Sequence, residues 1–71
     1  MSFHDEELYK EAKKLVINTQ TASVSLLQRR LRLTYTRAAR IMDMLEERKV
    51  IGEYRGSAPR EVLIDLGAEK L

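Results

Sequence analysis

The feature that most constrains this chain is the helical spacing of residues 35–48, which separates apolar from polar side chains. At about 100° per residue, one side holds the small or aliphatic residues Ala38, Ile41, Met42 and Leu45. The opposite side holds the polar residues Thr36, Arg37, Arg40, Asp43 and Glu47. A helix divided in this way packs one face against a core and presents the other to solvent.

Length and composition leave packing as the source of stability. The chain has 71 residues, no cysteine and a single histidine, His4. Without cysteine, neither a disulfide framework nor a thiolate metal site can be built, and the lone His4 cannot make a zinc site. We expect one small domain without metal or cofactor. No set of nucleophile and base and no glycine-rich phosphate loop is present, which predicts a domain that is not an enzyme.

Two more helices are predicted before residue 35. Residues 5–18 place four apolar side chains at helical spacing, namely Leu8, Ala12, Leu15 and Val16. The acids at their start suit the positive end of the helix dipole. Residues 22–24 can pair as a short strand. The spacing of Ser25 and Gln28 is that of a capping box, which predicts a second helix from there to about residue 32. Thr34 is the expected N-cap of the third helix, so the last two helices form a helix-turn-helix.

After Lys49 the pattern changes to two short β-prone segments. Residues 50–54 and 61–64 flank a tip that contains Gly56 and Pro59, which predicts a hairpin. The fold class predicted by this order of elements is mainly α with a small β-hairpin. It is a winged helix-turn-helix of three helices plus a wing.

The domain is expected to occupy residues 5–66. Residues 1–4 are assigned to a disordered N-terminus or a remnant of expression, and residues 67–71 to a tail. No apolar run approaches the ~20 residues that cross a bilayer, and no signal peptide precedes the domain. We therefore expect a soluble, intracellular chain.

Positive charge is concentrated in the middle of the sequence. The net charge is only +2, yet no Asp or Glu occurs between Ala12 and Met42. That span carries the basic residues Lys13, Lys14, Arg29, Arg30, Arg32, Arg37 and Arg40. A cationic stretch of this kind favours nucleic acid as a partner, with a merely solvated arginine-rich surface as the alternative.

The polar side of the third helix offers the groups that read bases in a major groove. Arg37 and Arg40 match the O6 and N7 acceptors of guanine. Asp43 either accepts from cytosine N4 or orients Arg40 through an intrahelical ion pair, and we favour the ion pair. Thr36 contacts a base or a phosphate, or is simply solvated.

Other residues are predicted to contact the DNA backbone. Ser23, Ser25, Gln28 and Arg29 lie at the start of the second helix, where the dipole favours a phosphate. On the wing, Arg55, Gly56, Ser57 and Arg60 can reach the backbone or the minor groove. Tyr35 either contacts a phosphate or packs in the turn, and its position opposite Arg40 favours packing. Met42 and Met44 are expected to fill the core and its rim.

Three runs of sequence carry a family resemblance. They are residues 23–30 (SVSLLQRR), 35–43 (YTRAARIMD) and 56–63 (GSAPREVL). Together they resemble the C-terminal gamma domain of the FtsK/SpoIIIE DNA translocases, over nearly the whole chain. The combination of YTRAAR with REVL is the specific part of the match.

The resemblance implies a winged helix tethered to a hexameric bacterial motor ATPase that moves chromosomal DNA in division or sporulation. The parent would be membrane-anchored at the septum, with this domain cytoplasmic and without direct membrane contact. It also implies that the domain recognises short G-rich directional octamers in double-stranded DNA and so orients the motor. Several gamma domains sit side by side on one such site, and some members also contact a site-specific recombinase.

By position, the family's reading residues fall on Thr36, Arg37, Arg40 and Asp43. Relatives often have asparagine at the position of Thr36 and glutamate at that of Asp43, so base preference there is expected to differ. A second hypothesis is a protein-interaction winged helix that uses Met44, Tyr54 and the wing to hold a recombinase or another subunit. A free-standing regulator would need a dimer interface, for which the chain has no spare apolar helix.

Overall fold

The computed structural model describes residues 3–54 and 60–64 of the chain, and this part is mainly helical. It contains α1 (Phe3–Thr19), α2 (Val24–Leu31) and α3 (Tyr35–Glu47), with α3 packed against both other helices. The predicted fold class is confirmed, and the arrangement is compatible with a small winged helix. None of the helices in these two stretches is long and apolar enough to cross a membrane.

The core lies between the three helices and the segment that follows α3. On α3 the buried side chains are those predicted from the spacing, with Met44 added to them: Ala38, Ile41, Met42, Met44 and Leu45. On α1 the predicted apolar stripe is confirmed in Ala12 and Val16, which are fully buried. Leu8 and Leu15 are only partly buried against the core, and Tyr9 is buried in addition. α1 also includes residues 3 and 4, so it begins before the predicted start at residue 5.

Hydroxyl side chains cap α2 and α3. The Thr34 hydroxyl accepts the Arg37 backbone N–H at 3.2 Å, which confirms the predicted N-cap of α3. On α2 the cap is Ser23, whose Oγ accepts the Leu26 N–H at 3.1 Å, rather than the predicted Ser25. Because the cap lies two residues earlier, α2 starts at Val24 and the predicted strand at residues 22–24 is reduced to Ala22.

The three helices end without glycine. Gln20, Arg32 and Lys49 adopt positive φ angles of 52°, 55° and 64° just beyond the helices. The left-handed conformation lets the chain turn back on the last helical turn, as when the Arg32 N–H donates to the Gln28 carbonyl oxygen. Residues other than glycine are strained in this conformation, so each of the three turns slightly raises the free energy of the folded state.

Residues 60–64, here called the return segment, pair with two other parts of the chain. Antiparallel bridges join Ile51 to Val62 and Ala22 to Arg60. The Gly52 N–H donates to the Glu61 carbonyl oxygen at 2.8 Å, and the Arg60 N–H donates to that of Ala22 at 2.9 Å. The predicted strands at 50–54 and 61–64 are thus represented by one bridge between them, and the hairpin tip at 55–59 lies outside the described residues.

Candidate nucleic-acid interface

The outer side of α3 presents the polar residues predicted from the spacing. Thr36, Arg37, Arg40, Asp43 and Glu47 are all exposed, and we call the first four of these the reading face. Since the buried side chains of α3 fix the rotation of the helix, the apolar pattern alone determines which groups point outward. The role of the reading face in binding remains a prediction.

Two arginines of the reading face share one carboxylate from α1. Arg37 Nη2 donates to Asp5 Oδ1 at 3.4 Å, and Arg40 Nη1 donates to Asp5 Oδ2 at 3.4 Å. We call these three residues the arginine–aspartate triad. The prediction that Asp43 holds Arg40 is wrong for this structure, in which the ion pair of Arg40 is made with Asp5 instead.

The triad shows that the basic middle of the sequence is partly neutralised in the fold. Asp5 lies outside the acid-free stretch of sequence, yet the fold brings it onto two of the arginines in that stretch. One signal could have revealed it: Asp5 stands on the same helical stripe as Tyr9, Ala12 and Val16, which are buried. An acid on the buried stripe of a helix requires a cationic or hydrogen-bonding partner.

A second ion pair ties the first turn of α1 to the end of α3. Arg48 Nη2 donates to Glu6 Oε1 at 3.1 Å, and the Arg48 guanidinium lies 4.3 Å from the centre of the Tyr9 ring. The hydrogen bond to Glu6 raises the pKa of Arg48 above its ordinary value, so this group stays charged. With Asp5, these contacts hold the start of α1 along the length of α3.

Tyr35, the first residue of α3, projects into solvent. Tyr35 is 65% exposed, so the prediction that it packs in the turn is wrong. At the first helical position no earlier turn of α3 exists to cover the ring, and the core does not extend that far. The Tyr35 ring is therefore accessible at the surface near the start of α3.

The candidate backbone contacts at the start of α2 differ in their availability. Ser25 and Arg29 are exposed, whereas Ser23 and Gln28 are half-buried. The Ser23 hydroxyl already accepts the Leu26 N–H and lies 3.4 Å from the Ser25 hydroxyl. Arg29 and Ser25 are thus the members of this set that are most accessible to a phosphate.

Only one of the four predicted wing residues lies within the described part of the chain. Arg55, Gly56 and Ser57 lie outside the described residues. Arg60 is described, and its side chain is only 9% exposed: Nη1 donates to Glu46 Oε1 at 2.7 Å and to the Gly52 carbonyl oxygen at 3.1 Å. Arg60 therefore packs against α3 and the start of the hairpin, in place of the outward position that the sequence predicted.

Two residues of the protein-interaction hypothesis have different surroundings. Met44 is buried in the core and offers nothing to a partner. Tyr54 is exposed, and its ring faces the Arg60 guanidinium at 5.4 Å. Among residues 3–54 and 60–64, no group of three histidine, cysteine or acidic side chains is placed to hold a metal ion.

A three-helix domain of this kind, with an exposed arginine face on its third helix, matches a known family of domains. The family model described as the Ftsk gamma domain matches residues 4–65. The chain belongs to the FtsK gamma-domain family, which confirms the predicted resemblance. This family is a small regulatory part of DNA translocases and is not itself catalytic.

Relatives support the same assignment at high identity. The chain is 63% identical to the DNA translocase SpoIIIE of Bacillus subtilis over 59 residues, which is 83% of this chain. It is 59% identical to a DNA translocase FtsK of Bacillus cereus over 66 residues, or 93% of this chain. For a DNA translocase FtsK of Clostridium tetani the identity is 58% over 59 residues. The chain spans about 8% of the length of each of these curated relatives.

Proposed function

We propose that this domain binds double-stranded DNA sequence-specifically by placing α3 in the major groove. Thr36, Arg37, Arg40 and Asp43 would read base edges, with the two arginines directed at guanine. The observation that carries the proposal is the reading face itself, with two exposed guanidiniums one helical turn apart on a helix whose other side is locked into the core. Arginine forks of this kind discriminate guanine by roughly 1–3 kcal/mol for each bidentate pair.

Contacts to the DNA backbone would set the register of α3. Ser25 and Arg29 on α2 are the accessible candidates, with Ser23 and Gln28 beside them. Tyr35 joins this group, because the hydroxyl of its exposed ring can donate to a phosphate. Arg55, Gly56 and Ser57 remain candidates for backbone or minor-groove contact, while the contacts of Arg60 favour a structural role.

Within a parent translocase, the proposed DNA target is a short G-rich directional octamer. Several gamma domains bound side by side would orient a hexameric motor on the chromosome, at the cytoplasmic side of a septal membrane. The relatives are named DNA translocases, which supports DNA as the partner. A single domain needs only modest affinity, since tethered copies raise the effective concentration.

The test is a comparison of duplexes that differ only in sequence. A target is first selected from duplexes with a randomised octamer window and then titrated by fluorescence anisotropy, beside a scrambled duplex of equal composition, at about 50 and about 200 mM salt. We expect a preference for the selected duplex that persists at the higher salt. Equal binding that vanishes with salt would contradict base reading.

A protein-partner function keeps one supporting observation, the exposed ring of Tyr54. A recombinase or another subunit that docks there would be insensitive to changes on the reading face. Capture of a purified recombinase by the Arg40→Ala variant as strongly as by the unaltered domain, with loss on Tyr54→Ala, would favour this second function.

A further inference from the structure

We propose that Asp5 is a positioning residue that sets the base-reading geometry of Arg37 and Arg40. The inference rests on the proposed function and assigns a specificity role to a residue outside the reading face. Its basis is a single carboxylate that bridges two guanidiniums, one to each oxygen, at 3.4 Å.

The burial of the triad is strongly asymmetric. The Asp5 side chain is 8% exposed, whereas those of Arg37 and Arg40 are 48% and 65% exposed. A buried carboxylate cannot move far, because it would lose partners that it cannot replace with water. The guanidiniums, by contrast, remain open to solvent on their other sides.

This asymmetry indicates that Asp5 supports the two arginines and does not compete with DNA for them. Each guanidinium carries five N–H donors, and its contact with Asp5 is made through one terminal nitrogen. Donors remain for the paired acceptors of a guanine. Long exposed arginines otherwise sample many rotamers, and a contact that restricts them reduces the ordering cost of binding.

Charge supports the same role. Arg37 and Arg40 lie three residues apart on one helix, where like charges repel. The negative charge of Asp5 between them offsets this repulsion and keeps the two groups side by side. Asp43 on α3 is exposed, and the carboxylate that bridges the two arginines is that of Asp5 on α1.

The experiment compares Asp5→Asn with Glu7→Gln. Both remove one negative charge from the first turns of α1, but Glu7 is exposed and is not a member of the triad. Each variant is titrated with the selected and the scrambled duplex under identical salt. For Glu7→Gln we expect both affinities to rise by a similar factor, so that their ratio stays unchanged.

For Asp5→Asn we expect affinity for the scrambled duplex to rise as in the control, while the ratio of selected to scrambled affinity falls by roughly fivefold to tenfold. Asp5→Glu, which keeps the charge, should recover part of the ratio. An unchanged ratio in Asp5→Asn would overturn the inference. Thermal unfolding of each variant identifies a general loss of folding, which would lower both affinities together.

Side-chain NMR of the free domain provides a readout that needs no DNA. In the unaltered domain the Nε–H signals of Arg37 and Arg40 should show restricted motion, and Asp5→Asn should release it while Glu7→Gln should not. If the unaltered domain prefers no duplex, the proposed function fails and this inference fails with it. If it does prefer one and both readouts ignore Asp5, only the positioning role is wrong.

Discussion

Arg60 and Glu46 form an ion pair of 2.7 Å that joins the return segment to α3. The Arg60 side chain is almost fully covered, and the same nitrogen also donates to the Gly52 carbonyl oxygen. The pair therefore secures both sides of the predicted hairpin to the helix that carries the reading face. Arg60, which the sequence predicted to contact DNA, is therefore part of the structural framework of the domain.

Replacing Arg60 by methionine should lower the free energy of unfolding by about 1–2 kcal/mol, because buried hydrogen bonds to a charged group are lost. Glu46→Gln should cost less, since Glu46 is partly exposed and its pair is screened by solvent. Urea unfolding measures both. Glu47→Gln, the same change at an exposed neighbour, is the control and should leave stability unaltered; an equal loss there would refute a specific role for Arg60–Glu46.

Ser23→Ala should destabilise the domain by about 1 kcal/mol, because the hydroxyl that caps α2 is removed. Ser25→Ala, two residues later, should change stability by less than about 0.5 kcal/mol. Thermal unfolding followed by circular dichroism distinguishes them. The reverse order would restore the capping box at Ser25 that the sequence predicted.

Arg40→Ala should reduce the preference for the selected duplex at least about tenfold, because a base-reading fork is lost. Arg29→Ala should weaken all duplexes alike and reduce the slope of log affinity against log salt by about 1. Arg30→Ala, an exposed arginine of α2 with no assigned contact, controls for the loss of one charge. If Arg40→Ala and Arg30→Ala behave alike in anisotropy titrations, α3 does not read bases.

Tyr35→Phe should leave the unfolding free energy within about 0.5 kcal/mol of its original value, since the ring is exposed. It should lower affinity for both duplexes severalfold if the hydroxyl donates to a phosphate, with a net contribution of about 1 kcal/mol. Tyr54→Phe removes the same hydroxyl from another exposed ring and is the matched control. Stability loss in Tyr35→Phe would instead favour a packed role.

Local physics made α3 predictable from sequence. The alternation of apolar and polar residues determines which side of α3 is buried. Thr34 is one of the residue types that cap helix N-termini, and it stands directly before the helix. The same reasoning failed at Ser23 because two serines stand two residues apart and both can cap. The helical wheel failed at Tyr35 because it assumes that core extends along the whole helix.

Long-range contacts could not be predicted in the same way. The triad joins Asp5 to residues 32 and 35 positions away, and no local spacing specifies that meeting. Arg60 was misplaced for a similar reason, since its partners Glu46 and Gly52 come together only once the return segment has folded back. Charge patterns along the chain indicated which groups exist, whereas tertiary packing decides which of them face solvent.

From the bridges of the return segment we also expect an order in which the domain is assembled. Helices form from neighbouring residues, but the pairing of Ala22 with Arg60 closes most of the chain into a loop and has few hydrogen bonds to offset the lost entropy. We expect this closure to be the last step of folding and the first to reverse. The amide of Arg60 should then exchange its hydrogen faster than the amide of Ile41 in the middle of α3, so that the edge of the domain opens while its helices persist.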